Sequence, residues 1–103
     1  MQVRWLADAL NDLDEVISYC AEQYGQDVAL RFYECIEQNT VRLSQNPRLG
    51  PLEPLLSHLS AEYRYVVEGH YKEIYFIKSD VVYIAALWDC RQEPAMMERK
   101  VIL

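Results

Sequence analysis

A chain of 103 residues with 51% hydrophobic residues is long enough for one compact core, so we expect a single domain over residues 1–103. The formal net charge is −6, and the first 60 residues carry nine acidic but only four basic side chains. Because an acidic chain repels a phosphate backbone, general electrostatic capture of DNA or RNA is disfavoured. A local basic site in the second half of the chain remains open.

The cysteines and the N-terminal residues indicate the cellular compartment in which the protein is expected. Cys20, Cys35 and Cys90 are odd in number, widely spaced and without a CxxC pair, which predicts reduced thiols and neither a disulfide framework nor a zinc site. We expect no cofactor and no metal. The first ten residues lack the pattern of a signal peptide. No stretch approaches the roughly 20 apolar residues of a membrane span. We therefore expect a cytoplasmic protein that does not associate with membranes.

The N-terminal half predicts a short strand followed by two helices. Residues 2–6 alternate in hydrophobicity, and from residue 8 the apolar period changes to three and four. The first helix is predicted over 8–24 and the second over 27–45, which Pro47 ends. Because only one or two residues connect them, the helices form an antiparallel hairpin. The predicted inward stripe comprises Leu10, Leu13, Val16, Ile17, Cys20, Tyr24, Ala29, Phe32, Ile36 and Leu43, whereas the acidic residues Asp8, Asp12, Asp14 and Glu15 are predicted to form a solvated face.

The C-terminal half predicts a loop and three strands. Residues 47–60 hold three of the four prolines, and their leucines (Leu49, Leu52, Leu55, Leu56 and Leu59) are expected to pack on the sheet or helices. Strands are predicted over 62–68, 71–78 and 81–87, joined by tight turns into an antiparallel meander. The last of them is apolar enough to be buried on both faces. Residues 94–103 are either a short docked helix or a segment that waits for a partner.

These elements predict an α+β fold, in which the helical hairpin packs on one face of a mainly antiparallel four-stranded sheet. The short N-terminal strand is expected beside one of the three later strands.

Trp88-Asp89-Cys90-Arg91 follows the most apolar strand, at the point where side chains leave the sheet edge. We expect neighbouring strand ends to bring Arg64, Lys72 and Arg91 together as a set of cations. An Asp89–Arg91 ion pair with a purely structural role is the alternative, and an ordinary wet sheet face equally explains Arg64 and Lys72. Further titratable candidates are Tyr75, His58 and His70, of which His70 reads most simply as a solvated turn residue.

The whole chain resembles the RelE/ParE family of bacterial toxins from toxin–antitoxin pairs. The residues that carry the resemblance are Ala9, Asp12-Leu13, Ile17, Tyr19, Ala29, Phe32, Ile36, Leu43, Pro47, Gly50, Tyr63-Arg64, Gly69, Tyr71-Lys72, Ile74-Tyr75 and Trp88-Asp89-Cys90-Arg91. The resemblance implies the fold predicted above and a cognate antitoxin that wraps the toxin, so a toxin–antitoxin hetero-oligomer is expected. It also implies one of two activities, because the RelE-like branch consists of ribosome-dependent mRNA endoribonucleases and the ParE-like branch inhibits DNA gyrase.

Departures from the nuclease pattern favour the ParE-like branch. Arg64 is the only cation in the strand at 62–68, and no tyrosine or histidine follows Arg91 as a general base. The tyrosine-rich strands also suit a protein partner, since tyrosine buries apolar area and keeps a polar end. We therefore predict a type II toxin that arrests growth through a protein target, which the resemblance implies is gyrase. The predicted target-binding residues are Arg64, Lys72, Trp88, Asp89 and Arg91.

Two alternatives stay open. The first is a RelE-like, metal-independent endoribonuclease that acts on mRNA at the ribosome, for which Arg64, Lys72, Tyr75 and Arg91 are the catalytic candidates. Such a reaction needs a base near the 2′-hydroxyl and cations on the phosphate. The second is a non-toxic family member that acts as a protein-binding module.

Overall fold

The computed structural model describes residues 1–102. Its elements in chain order are β1 (Gln2–Trp5), α1 (Ala7–Tyr24), α2 (Gln26–Gln45), β2 (Arg64–Glu68), β3 (Tyr71–Lys78), β4 (Val81–Asp89) and α3 (Met97–Ile102). Single 3-10 turns cover Pro54–Leu56 and Pro94–Met96. The predicted helices and strands are confirmed, although β1 ends one residue earlier, β2 begins two residues later and β4 runs two residues further than predicted. No helix within residues 1–102 is long and apolar enough to cross a membrane.

The sheet has the order β1-β4-β3-β2, so β4 lies in its interior. The three later strands form the predicted antiparallel meander, and β1 lies parallel to β4 from Gln2, opposite Val81, to Trp5, opposite Ile84. The sheet is therefore mixed, and mainly antiparallel as predicted. The β3–β4 turn has positive φ at both Ser79 and Asp80, which is the geometry that matches the twist of a two-residue hairpin.

The helical hairpin packs on one face of the sheet, and Gly25 joins the helices with φ of 93°. The α1 stripe differs from the prediction, because Leu10 is 48% exposed and Tyr24 is also exposed. The helix is rotated so that the small side chain of Ala9, together with Leu13, faces the sheet. The core on this face comprises Ala9, Leu13, Ile36, Leu43, Tyr71, Tyr75, Val82, Ile84 and Leu87.

The opposite face of the sheet is partly covered by the loop and α3, where the buried cluster comprises Leu56, Ile74, Ala86, Trp88 and Met97. The prediction that all five loop leucines pack inward is wrong, since Leu49, Leu52 and Leu55 are exposed. The reason is that the loop runs beside β2 as extended chain. The Tyr65 N–H donates to Pro51 O over 3.1 Å and the Glu53 N–H donates to Tyr63 O over 2.8 Å.

The C-terminal residues form a short docked helix, the first of the two predicted possibilities. Met97 is buried in the cluster beneath the loop, and the Lys100 ammonium lies 2.5 Å from a carboxylate oxygen of Asp12 on α1. The final residue of the predicted tail, Leu103, lies outside the described residues. The helix is therefore attached both to the sheet and to the hairpin.

Candidate functional site

Arg91 and Asp89 form the most sharply defined polar pair on the surface. The Arg91 guanidinium donates from Nε to Oδ1 of Asp89 over 2.9 Å and from Nη2 to Oδ2 over 2.8 Å, and its backbone N–H donates to Oδ1. These bonds lower the pKa of Asp89 and raise that of Arg91. Half of the Arg91 side chain remains exposed. A surface ion pair adds little to stability, but a bidentate one fixes the plane of the guanidinium.

The pair lines a cavity of about 430 Å³ between α1 and the end of β4. Tyr71 forms one wall, and burial raises the pKa of its phenol, so this group remains a neutral hydrogen-bond donor at pH 7. The other lining residues include Asp12, Glu15, Val16, Tyr19, Leu87, Trp88, Gln92 and Lys100. The cavity therefore combines aromatic side chains with charges of both signs.

Asp12 is the buried carboxylate among the residues that line this cavity. The prediction that Asp12 belongs to a solvated face of α1 is therefore wrong. It accepts hydrogen bonds from the Leu87 N–H over 3.1 Å and from the Lys100 ammonium. Burial raises its pKa, and both hydrogen bonds oppose that rise. Sequence reasoning missed Asp12 and Lys100 as cavity residues. The available signal was that Asp12 falls at the same helical spacing as Ala9 and Val16.

Lys72 lies on the other face of the sheet. Its ammonium is 2.9 Å and 3.1 Å from the two carboxylate oxygens of Glu53, whose side chain is fully buried. It also lies 4.2 Å from the centre of the Tyr65 ring, a cation–π distance. Because a buried carboxylate already neutralises it, Lys72 carries little free positive charge toward a ligand.

Arg64 and Tyr75 anchor the loop before β2. Arg64 Nη1 donates to Gly50 O over 2.8 Å, and the Gly50 N–H donates to the Tyr75 hydroxyl over 3.0 Å. Tyr75 is fully buried. A Cβ on Gly50 would lie 2.1 Å from Tyr65 O, so only glycine fits this close approach. Both side chains are engaged in holding the loop.

The expectation that Arg64, Lys72 and Arg91 meet at neighbouring strand ends is wrong. Arg64 lies opposite Tyr75, whose side chain packs beneath the helices, whereas Lys72 lies opposite Trp88, whose side chain packs beneath the loop and α3. Successive strand residues point to opposite faces, and this alternation separates the two cations. Arg91 is on the cavity side with Asp89.

Trp88 is buried, with its ring in the cluster beneath α3. It also borders the cavity. The two histidines lie apart from the cavity lining. His70 lies in the β2–β3 turn, and its backbone carbonyl accepts a hydrogen bond from the Cys90 N–H over 2.8 Å. The imidazole of His58 lies 3.0 Å from the carboxylate of Glu98.

Among residues 1–102, no three His, Cys, Asp or Glu side chains are grouped as ligands of a metal ion.

Comparisons with known proteins give the class to which this fold belongs. A family model described as "ParE toxin of type II toxin-antitoxin system, parDE" matches residues 3–94. A solved structure titled "Chromosomal ParDE TA system from P. aeruginosa" superposes with a TM-score of 0.69 at 20% identity, covering 84% of this chain and 92% of that chain. No curated protein matches the sequence. The chain belongs to the ParE toxin family of type II toxin–antitoxin systems.

Proposed function

We propose that this chain is a toxin that arrests growth in the cytoplasm by binding a protein target, DNA gyrase, and that a cognate antitoxin neutralises it in a hetero-oligomeric complex. The observation that carries the proposal is the guanidinium of Arg91, which Asp89 fixes at the rim of an aromatic-walled cavity. Arginine and tyrosine are favoured at the energetic centres of protein interfaces. Family membership supports the same conclusion.

The dispersal of the cations argues against the nuclease alternative. A ribosome-dependent nuclease needs positive charge gathered on the scissile phosphate. Here Lys72 is paired with Glu53, Arg64 is bonded to the loop, and Tyr75 is enclosed in the core. The three side chains proposed to act beside Arg91 are thus held elsewhere, and the ParE-like activity is the better supported of the two.

The first test is expression of the chain alone and with the gene beside it. We expect growth arrest on induction and recovery when the neighbouring antitoxin is co-expressed. Purified protein is then added to a gyrase supercoiling reaction and, in parallel, to a translation reaction. Inhibited supercoiling with intact mRNA supports the proposal, whereas codon-specific cuts in translated mRNA would establish the nuclease instead.

Arg91→Ala tests the site itself, with Arg31→Ala as the matched control because Arg31 is an exposed arginine on α2. We expect the first variant to lose toxicity with its helical circular dichroism intact and the second to retain it. A protein that binds the antitoxin yet never arrests growth would be the non-toxic binding module.

A further inference from the structure

Within residues 1–102, part of the sheet face opposite the helical hairpin is left uncovered. The loop and α3 cover this face around Ile74, Ala86 and Trp88. Elsewhere it is formed by the strand neighbours of the buried helix-side residues, because successive strand residues point to opposite faces. The residues that the strands place on this part, called here the open sheet face, are half-buried or exposed, and they are Gln2 and Arg4 of β1, Val81 and Tyr83 of β4, and Phe76 and Lys78 of β3.

A row of side chains crosses the open sheet face in register. Arg4 lies opposite Tyr83, and Tyr83 lies opposite Phe76. The rings of Tyr83 and Phe76 are stacked, with their centroids 5.3 Å apart and an angle of 21° between their planes. Tyr63, which precedes β2, continues the row, since its ring centroid lies 5.5 Å from that of Phe76 in an edge-on arrangement. Three adjacent rings and an arginine therefore lie side by side across the sheet.

The charge of the open sheet face is positive. Arg4 and Lys78 are exposed, and among residues 1–102 neither forms an ion pair. Arg4 donates only to Oε1 of Gln2, over 3.3 Å. None of the six strand residues of this face is acidic, and Asp80 lies beyond them in the β3–β4 turn. The face thus carries two unpaired cations on a chain whose net charge is −6.

Stacked rings flanked by unpaired cations match the chemistry of bases joined by phosphates. Every nucleobase has a π-face, and stacking on aromatic side chains gives single strands a sequence-tolerant affinity. Four-stranded sheets that carry aromatic residues on adjacent strands bind RNA in this manner. Here β4 and β3 are the two interior strands, and they supply Tyr83 and Phe76. A duplex keeps its bases stacked inside, so the rings favour a single strand.

We propose that the open sheet face binds a short single-stranded nucleic acid. About two or three bases stack on Tyr83, Phe76 and Tyr63, while Arg4 and Lys78 contact the phosphates. None of these residues lines the cavity that holds the Arg91 guanidinium. This binding is therefore independent of the proposed gyrase inhibition, and it involves no cleavage of the strand.

The first measurement is the fluorescence anisotropy of labelled oligouridylate and oligothymidylate of about ten nucleotides, titrated with the full chain. We expect saturable binding of single strands and none of a DNA duplex of the same length. The two probes distinguish the source of the strand, because only RNA carries the 2′-hydroxyl. Tighter binding of oligouridylate identifies RNA, tighter binding of oligothymidylate identifies DNA, and equal binding identifies a face that contacts only bases and phosphates.

The dependence on salt counts the phosphate contacts. For single strands, the logarithm of the binding constant falls by about 0.7 per neutralised phosphate for each unit of log salt concentration, so two contacts give a slope of about −1.4. Arg4→Gln should reduce this slope to about −0.7. The matched control Arg31→Gln, at an exposed arginine on α2, should retain the slope of the parent chain.

Tyr83→Val tests the stacking, because it removes the ring and keeps an apolar residue that favours a strand. The dissociation constant should rise about tenfold. Tyr24→Val is the matched control, since Tyr24 is an exposed tyrosine on α1 whose ring also has an aromatic neighbour, Tyr19, at 6.4 Å. It should bind like the parent chain. Circular dichroism verifies the fold of each variant, and if Tyr83→Val unfolds, the salt slope of Arg4→Gln decides the outcome.

Equal binding of duplex and single strand would overturn this inference, and so would parent-like affinity of a folded Tyr83→Val or an unchanged slope in Arg4→Gln. If gyrase or the antitoxin shifts the ring resonances of Tyr83 while no oligonucleotide binds, the open sheet face is a protein interface instead. None of these measurements depends on toxicity, so each of these failures leaves the proposed function standing. Absence of growth arrest on expression would overturn that function alone.

Discussion

The ammonium of Lys72 lies 2.9 Å from Oε2 of Glu53, a carboxylate with 1% of its surface exposed, and joins the middle of the sheet to the loop before β2. A buried charge that loses its partner is strongly destabilising, because neither water nor protein then compensates it. The pair is thus a structural connection, although its lysine stands at a position where the sequence predicts target binding.

Lys72→Ala should destabilise the protein by about 3–5 kcal/mol, the usual cost of leaving a buried charge unpaired. Replacing both partners with apolar residues, as in Lys72→Met with Glu53→Leu, should cost much less. Urea unfolding followed by circular dichroism gives both values. Lys78→Ala, at an exposed lysine on the same strand, serves as control and should stay within about 0.5 kcal/mol of the parent. A similar loss in the single and double variants would contradict this account.

Glu73 predicts a pH dependence of stability. It is fully buried on β3, and neither carboxylate oxygen has a hydrogen-bond partner among the described residues. Burial raises its pKa from 4.5 to about 8, and the nearby charge of Glu68 adds to the rise, whereas Asn39 opposes it. The folded state therefore binds a proton that the unfolded chain releases. Glu73 favours folding most below pH 4.5, and this contribution falls until about pH 8 and is constant above.

Between those limits the free energy of unfolding should fall by up to about 1.4 kcal/mol per pH unit through this group. Glu73→Gln should remove the part of this pH dependence that comes from Glu73. The control Glu22→Gln, at an exposed position on α1, should leave the pH dependence of the parent chain unchanged. Urea titrations from pH 5 to pH 8.5 measure the difference. Asp12, whose pKa is also raised, contributes equally to both variants and does not affect the comparison. If the free energy of unfolding has the same slope against pH in both variants, Glu73 is already charged in the folded state.

Tyr75→Phe separates a structural role from a catalytic one. It leaves the Gly50 N–H without its acceptor in a buried position, which costs about 1–3 kcal/mol. We expect a lower unfolding midpoint and undiminished toxicity at a temperature where the protein remains folded. Tyr24→Phe, on an exposed ring, controls for loss of a hydroxyl. Loss of toxicity without loss of stability would favour the nuclease, in which Tyr75 has a chemical role.

The fold could be predicted because its signals are local. Hydrophobic period, turn residues and Pro47 define the elements, and short connections dictate that neighbours pack as a hairpin and a meander. The site is harder, because its parts come together by packing. Asp89 and Arg91 are two residues apart, and this spacing predicts their ion pair. Helical spacing places Asp12 on the inward side of α1, but nothing in the sequence indicates that it meets Lys100, which is 88 residues away.

The separation of Arg64 from Lys72 also depends on how the strands pack together and not on a local sequence signal. One residue of strand register decides which face a side chain occupies, and this register cannot be read from composition. Glu53, which neutralises Lys72, lies in a loop without regular period.

Arg91→Lys tests whether the geometry of the site matters or only its charge. Lysine keeps the positive charge but cannot make the two parallel bonds that fix the guanidinium on Asp89. If the fixed plane recognises the target, Arg91→Lys should weaken gyrase inhibition about tenfold or more, which is about 1.4 kcal/mol. Asp89→Asn, which loosens the same guanidinium, should have a similar effect, and the double variant should be little worse than either single one. The inhibitory concentration in a supercoiling assay measures all three, with Arg31→Lys as control. Full activity of Arg91→Lys would show that a point charge suffices at this rim.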